Sequence, residues 1–497
     1  MKRTHTFFFT PPILLTLCVG LCMACGPSKY IPGKKYAPAQ MQQDLDILWQ
    51  TYRKVHPSYD WYMPADTVDA RFRHVRQSLT DSLTEPEFRL RLSYATAAIH
   101  CGHTSILPPA ALSNLPRSRA AQFPMNMRVW GSDSMIVTDN QSPNRDSVKR
   151  GVAIVRINQV PTSKLITQMQ QYISQDGLHN AYSEAILSAG FAQRFRWMYG
   201  VEPQYQIAYR DSSGNIAAAT VKSLAPRPPD SNRQQSSTPR PPRPPQQLPR
   251  QNFDPRVGVF YVDSSKHFAY LRLNSFTGKG VNKLIRQSFE KLQQHPVPNL
   301  VIDIRDNGGG RIAKAALLAR YLVSEPFQLA DSVSATSLQF PYPKYVQAHL
   351  VYQLFGWLLV HKKSDGRLHF GNLERREYQP IKSDHYNGNV YVLTGGRTFS
   401  ASIMFLQYIA NRPNKWVVGE ETGGVARGNS SVITPDLELP NTKIRARLPL
   451  FRLVTRQALP QDGRGVVPDI IVPPNSADIR YRKDAVMEKV RRLVGGK

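Results

Sequence analysis

The run Leu300-Val301-Ile302-Asp303-Ile304 constrains the fold more than any other stretch of the chain. As an extended segment it carries apolar side chains on both faces, so both faces must be covered. That is the condition of a central strand in a parallel sheet with helices on either side. The run leads into Asn307-Gly308-Gly309-Gly310 and then a helical pattern over 312–322. Strand patterns at 268–273, 390–393 and 415–418 alternate with helical patterns at 281–294 and 400–411. This order predicts an α/β layer with a mainly parallel sheet and right-handed crossovers, whose ligands sit at the carboxyl ends of the strands.

Two strand ends carry chemistry. The first is Asp303-Ile304-Arg305-Asp306-Asn307-Gly308-Gly309-Gly310. Its glycines let backbone N–H groups approach a ligand closely, as an oxyanion hole requires. No Gly-Lys-Ser/Thr follows, which excludes a Walker-type phosphate loop. The second is Leu393-Thr394-Gly395-Gly396-Arg397-Thr398-Phe399-Ser400-Ala401-Ser402. Here a strand, a tight turn and a helix start expose the Ser400 hydroxyl and offer the Ala401 N–H to an oxyanion. A serine at a helix start is ordinarily an N-cap, so this segment alone does not establish catalysis.

Upstream of this layer the chain changes character three times. Over 38–121 it reads as helical. Leu45, Leu48, Trp49, Tyr52 and Val55 recur at helical spacing up to His56-Pro57, and Thr84-Glu85-Pro86-Glu87 opens a second helix with a capping box. Gly102 terminates that segment and leaves His103 just beyond it, while His100 falls on the helical side. Over 122–224 short β-rich stretches surround Ile154-Val155-Arg156-Ile157-Asn158-Gln159-Val160-Pro161. Their order resembles a PDZ domain, with helical material between about 177 and 199 read as an insertion. Residues 226–250 hold nine prolines and five arginines among 25 positions, the composition of a polyproline-type or disordered linker. The α/β layer is expected to fill 257–497.

Residues 1–25 read as an export signal, with Lys2 and Arg3 before an apolar stretch from Ile13 to Met23. Cys25, between Ala24 and Gly26, stands where a bacterial lipoprotein carries its modified cysteine, although Cys22 replaces the usual leucine three positions earlier. A mature chain would keep Cys101 as its single internal cysteine, which cannot form an internal disulfide. The chain has 497 residues, 41% of them hydrophobic and 20% charged, enough for several packed units. Its formal charge of +28 favours polyanions non-specifically, but no nucleic-acid-binding motif accompanies it. There is no His-Glu-x-x-His and no clustered Cys/His spacing, so neither a metal nor a cofactor is expected.

Taken together, "DIRDNGGG", "RTFSAS", "VVGEETGG" at 417–424, "LELPNTKI" at 437–444 and "GVVPDIIV" at 465–472 resemble, in order, the motifs of the C-terminal-processing, or tail-specific, serine peptidases. The spacing from Ser400 to Gly419-Glu420 matches that family and selects Ser400 over Ser402 as nucleophile. The resemblance implies a crotonase/ClpP-like catalytic domain, a helical N-terminal region and a PDZ-like domain that captures a substrate's C-terminus. The family's usual lysine base falls at Val425, and Ile403 replaces the usual acid after the serine. "Cys101-Gly102-His103-Thr104" instead resembles the tricorn-like and retinoid-binding-protein-like branch. There a histidine of this region is the base and an acid near the C-terminus supports it. The resemblance therefore assigns Ser400 as nucleophile, His103 as base and Asp462 as supporting acid, with Gly309 and Ala401 at the oxyanion. Glu420 is a further acid candidate. The expected function is a serine endopeptidase of the bacterial cell envelope, held at the membrane through a lipid on Cys25 and acting on peptides or unfolded proteins. The alternatives are a catalytically inactive peptide- or ligand-binding lipoprotein on the same fold and an acyl-transfer or CoA-type enzyme on a shared architecture.

Overall fold

The strand Asn299–Asp303 lies inside a six-stranded sheet, and all five of its residues are buried. The sheet runs Gly258–Asp263, Phe268–Leu273, Asn299–Asp303, Asn389–Thr394, Lys415–Gly419 and Ile470–Ile471, antiparallel at the first pair and parallel thereafter. The two faces sort as a strand period of two demands. Leu300 and Ile302 join a core with Leu284, Ile285 and Phe289 of helix Val281–Gln294, Leu318 of Ile312–Arg320 and Phe405 of Ala401–Tyr408. Val301, Leu393 and Val418 face the other way, onto Met487 and Val490 of helix Ala485–Val494. Each such side chain, fully buried, contributes about 1.5–3 kcal/mol. The structure is a computed structural model and describes residues 30–114, 121–226, 254–455, 459 and 463–495.

The N-terminal helices are Pro38–Val55, Ala65–Gln77 and Glu85–Ala97. The first ends at His56, before Pro57, as expected. The last is entered through Glu87, whose carboxylate accepts both the Thr84 N–H (2.7 Å) and the Thr84 hydroxyl (2.6 Å). These helices do not stand apart from the catalytic layer. Met41, Leu45, Tyr52 and Phe88 share one core with Leu437, Ile444, Leu448 and Phe451. Buried Asp44 fixes the junction by accepting from the backbone N–H groups of Asn441 (3.0 Å) and Thr442 (2.9 Å) and the Thr442 hydroxyl (2.6 Å). The short strand Ile106–Leu107 then pairs with Arg445–Arg447, which carries the chain after His103 back onto the catalytic side.

Between these regions, strands Met125–Trp130, Ser134–Asn140, Ala153–Ile157, Gln204–Arg210 and Ile216–Lys222 form an antiparallel sheet in that order. Helix Ala181–Tyr199 covers the segment read from the sequence as an insertion. Its Leu187, Phe191 and Phe195 are buried against Phe123, Val129 and Tyr205, so it supplies the core of this unit and is not an addition to its surface. The molecule is thus mixed α/β, with a helical N-terminal region and a β-rich middle. The expected export signal with Cys25, and the Pro/Arg-rich segment after Pro226, lie outside the described residues. Among the described residues no helix is long and apolar enough to cross a membrane.

Candidate active site

Asp303 and Leu393 are register partners on adjacent parallel strands, so the two glycine-rich loops leave the sheet side by side. The Ile304 N–H donates to Leu393 O (3.1 Å) and extends the pairing past the strand end. Beyond it the loops are joined directly. The Thr398 hydroxyl donates to Ile304 O (2.9 Å), the Phe399 N–H to Asn307 O (3.2 Å), and the Ser402 hydroxyl to the same Asn307 O (2.9 Å). The Gly423 and Gly424 N–H groups both donate to Thr398 O (3.1 Å each), which brings the segment after Glu420 beneath the turn.

Ser400 sits at the centre of this junction, 7% exposed, with φ +57° and ψ −116°. A non-glycine residue in that region stores strain, and the surrounding bonds hold it there. The turn lifts the Ser400 side chain at the entry of helix Ala401–Tyr408, whose first N–H, that of Ala401, has no acceptor within the helix. Gly309 is pressed against this entry at φ +99°. A Cβ on it would lie 2.7 Å from Phe399 O, 2.7 Å from Ser400 Cβ and 2.9 Å from the Ala401 nitrogen. The Gly309 N–H itself donates to Asn307 Oδ1 (2.9 Å). Gly309 therefore packs against the Ser400 turn while its own N–H is engaged by Asn307, and the Ala401 N–H is left without an acceptor in the helix. This differs from the expectation of a donor pair. The Asn307 side chain curls back on its own loop, a local turn that the glycine run alone does not reveal.

His103 lies in the loop after the third helix, and its ring centroid is 4.9 Å from that of Phe399, the residue before Ser400. Gly102 is required there, because a Cβ would lie 2.5 Å from the Phe399 ring. Tyr182 packs on the Phe399 ring as well, at 4.6 Å between centroids. Burial pushes the His103 imidazole down to about 4, with Arg447 adding to the shift, so at neutral pH the ring is uncharged and able to accept a proton. The Ser400 hydroxyl donates to Ser431 Oγ at 3.4 Å, and Ser431 in turn donates to Asn429 Oδ1 at 2.5 Å.

Neither Ser431 nor Asp176 is singled out by the sequence. Asp176 is buried, with one oxygen 3.9 Å from His103 Nδ1 and the other accepting the Gly102 N–H (2.7 Å). Burial raises its carboxyl to about 7, and the Gly102 hydrogen bond opposes that shift. Asp462, the acid expected from the sequence, lies outside the described residues. Glu420 is paired with Arg128 of the β-rich unit, and its backbone carbonyl accepts the Thr394 hydroxyl (2.9 Å). Val425, at the position of the missing lysine, is buried and apolar, as is Ile403.

Residues 267–472 match the family model for peptidase family S41. A comparison with curated proteins finds no match. Among solved structures, the chain is similar to mature CPAF complexed with lactacystin at 14% identity, with 93% of this chain and 99% of that one covered and a TM-score of 0.64. Mature CPAF alone gives 13% identity, 92% and 97% coverage and a TM-score of 0.63. The likeness to these structures is one of fold, and it spans the N-terminal helices and the β-rich unit as well as the catalytic layer.

Proposed function

Starting from residues 267–472 as a peptidase family S41 domain, hence a serine peptidase, we propose that Ser400 is the nucleophile and His103 its base. The observation that carries this reading is the register of Asp303 with Leu393. It sets the glycine loop against the strained Ser400 turn, with the His103 ring on the adjacent Phe399. Ser400 Oγ attacks the scissile carbonyl, and neutral His103 takes its proton and returns it to the leaving amine. The Ala401 N–H stabilises the oxyanion, and Gly309 leaves room for it. Asp176 is a positioning residue. A carboxylate that closes the 3.9 Å to Nδ1 as substrate binds keeps the proton on that nitrogen and leaves Nε2 free to accept.

The substrates are peptides or unfolded proteins, entering by a C-terminus that the β-rich unit captures through backbone pairing. Ile154 and Ile157 of its PDZ-like segment are buried in the core of this unit. The protein acts in the bacterial cell envelope, carried there by the export signal and anchored through a lipid on Cys25. Two acyl chains or more anchor stably, at about 0.8 kcal/mol per buried CH₂. The deciding experiment is labelling with a fluorophosphonate followed by peptide mapping. Modification at Ser400, lost in Ser400→Ala and slowed in His103→Ala, is the expected result. A folded wild type that neither labels nor cleaves any unfolded protein supports the inactive binding lipoprotein instead.

A further inference from the structure

Around the proposed base, the fold also gathers a buried thiol that peptide cleavage does not use. Cys101 Sγ, a ring nitrogen of His103 and a carboxylate oxygen of Asp176 all lie within 4.8 Å of one another. Cys101 and Asp176 are each 2% exposed. His103 Nδ1 and Asp176 Oδ2 are buried without a hydrogen-bond partner, and Tyr62 Oη is a third such atom whose environment includes Asp176 and Cys101. Buried polar atoms are rarely left unpaired, and a concentration of them around a thiol calls for an explanation.

We propose that Cys101, His103 and Asp176 form a binding site for a zinc-type divalent cation, and that its occupation switches the peptidase off. The donor set is one thiolate, one imidazole and one carboxylate, a combination that zinc accepts with a fourth position left for water. Bond lengths of about 2.0–2.3 Å place tetrahedral ligands roughly 3.3–3.7 Å apart, so the three atoms need to close by about 1 Å. The charges also match. Binding releases the Cys101 proton to solvent, and the resulting thiolate and the carboxylate together balance the cation's two positive charges. No electron is transferred, and the three new bonds are lone-pair donations to the metal.

Inhibition follows from the chemistry of imidazole and rests on the assignment of His103 as base. A neutral ring has a single nitrogen lone pair. With the metal on Nδ1, the nitrogen facing Asp176, the ring proton must sit on Nε2, and nothing remains to accept the proton of Ser400. Asp176 is drawn to the metal at the same time. The sequence carries little sign of this site, because Asp176 reaches Cys101 and His103 only through the fold.

The test uses the mature chain, whose single internal cysteine is Cys101, and cobalt(II) as a spectroscopic stand-in for zinc. One equivalent should produce a thiolate-to-cobalt absorption in the near ultraviolet that zinc displaces. Cys101→Ser, with Cys101→Ala as a second variant in case one fails to fold, should abolish that absorption. In parallel, zinc should suppress fluorophosphonate labelling of the wild type, and a chelator should restore it. The Cys101 variants should label at the metal-free wild-type rate and need at least tenfold more zinc for half-suppression. Absence of the cobalt absorption in wild type, or its persistence in both variants, overturns the site. A cobalt site with labelling indifferent to zinc overturns the switch. Failure of the metal-free wild type to label is a failure of the peptidase reading, and it is distinguishable because the cobalt spectrum requires no catalysis.

Discussion

The serine side and the histidine side of the site are built by different means. Ser400 is held by a lattice of backbone-centred bonds between two neighbouring strand ends, from Thr398 to Ile304, Phe399 to Asn307 and Ser402 to Asn307. His103 comes from a loop of the N-terminal helical region. It is placed by the face of Phe399 and by a 3.9 Å approach to Asp176, with Nδ1 left unpaired. The first arrangement is over-determined and rigid. The second rests on contacts between distant segments, so the His103 ring has fewer bonds of its own than the Ser400 turn, although its segment is anchored through the Gly102 N–H to Asp176 and the pairing of Ile106–Leu107 with Arg445–Arg447. If Ser400 is the nucleophile and His103 its base, the difference implies that the serine turn is held by more bonds than the imidazole.

Removing either reacting group should have the largest effect. Ser400→Ala and His103→Ala should each lower kcat by about 10³–10⁶, and the double variant should cost little more, because a nucleophile and its base act as a unit. Hydrolysis of an unfolded protein substrate checks this. A double variant whose loss is the product of the two single losses would show that the two sides do not work together. Gly309→Ala comes next. Its Cβ would collide with backbone at Phe399 O and the Ala401 nitrogen, in a conformation that disfavours any side chain. A loss of about 2–4 kcal/mol in urea unfolding is expected, with activity lost as the turn moves. An intact Tm and full activity in this variant would mean that the serine side is far more pliant than its bonds suggest.

Asp176→Asn tests the looser side. The amide oxygen keeps the Gly102 N–H bond and preserves the loop, while the carboxylate facing His103 is lost. Turnover should fall about 10–10²-fold with KM nearly unchanged, a far smaller loss than in Ser400→Ala. Asp176→Glu, which restores a carboxylate, should recover part of the loss. Equal activity of wild type and Asp176→Asn would remove Asp176 from the positioning role.

The comparison also explains how much could be read from the chain. Strands expected at 268–273, 390–393 and 415–418 appear at Phe268–Leu273, Asn389–Thr394 and Lys415–Gly419, because a strand buried on both faces writes its own pattern. The helix Val281–Gln294 matches its expected span for the same reason, with a stripe of Val281, Leu284, Ile285, Phe289 and Leu292. The serine side was legible as motifs because its parts are local to two strand ends. The histidine side was legible only as far as Gly102-His103. Asp176 lies 73 positions beyond His103 (176 − 103), and an Asp-Gly pair in sequence reads as a turn. Ser431 lies 31 positions after Ser400 and carries no pattern of its own. The helix Ala181–Tyr199 was seen as helical, but its place in a core depends on a strand, Met125–Trp130, more than fifty positions earlier.

Ser402 gives the smallest and sharpest test of rigidity on the serine side. It stands two residues from the nucleophile and is fully buried, so proximity alone would mark it as important. Its hydroxyl, however, donates only to Asn307 O, and that carbonyl also accepts the Phe399 N–H. Ser402→Ala removes the donor and leaves the acceptor satisfied, so no buried polar group is orphaned. The cost should be that of one net hydrogen bond, about 0.5–1.5 kcal/mol. With Thr398 and Phe399 still joining the two strand ends, kcat should change by less than about threefold, and fluorophosphonate labelling of Ser400 should proceed at nearly the wild-type rate. A large loss of activity with stability intact would mean that Ser402 acts on the chemistry directly, and the bonds that hold the Ser400 turn would then need a different account.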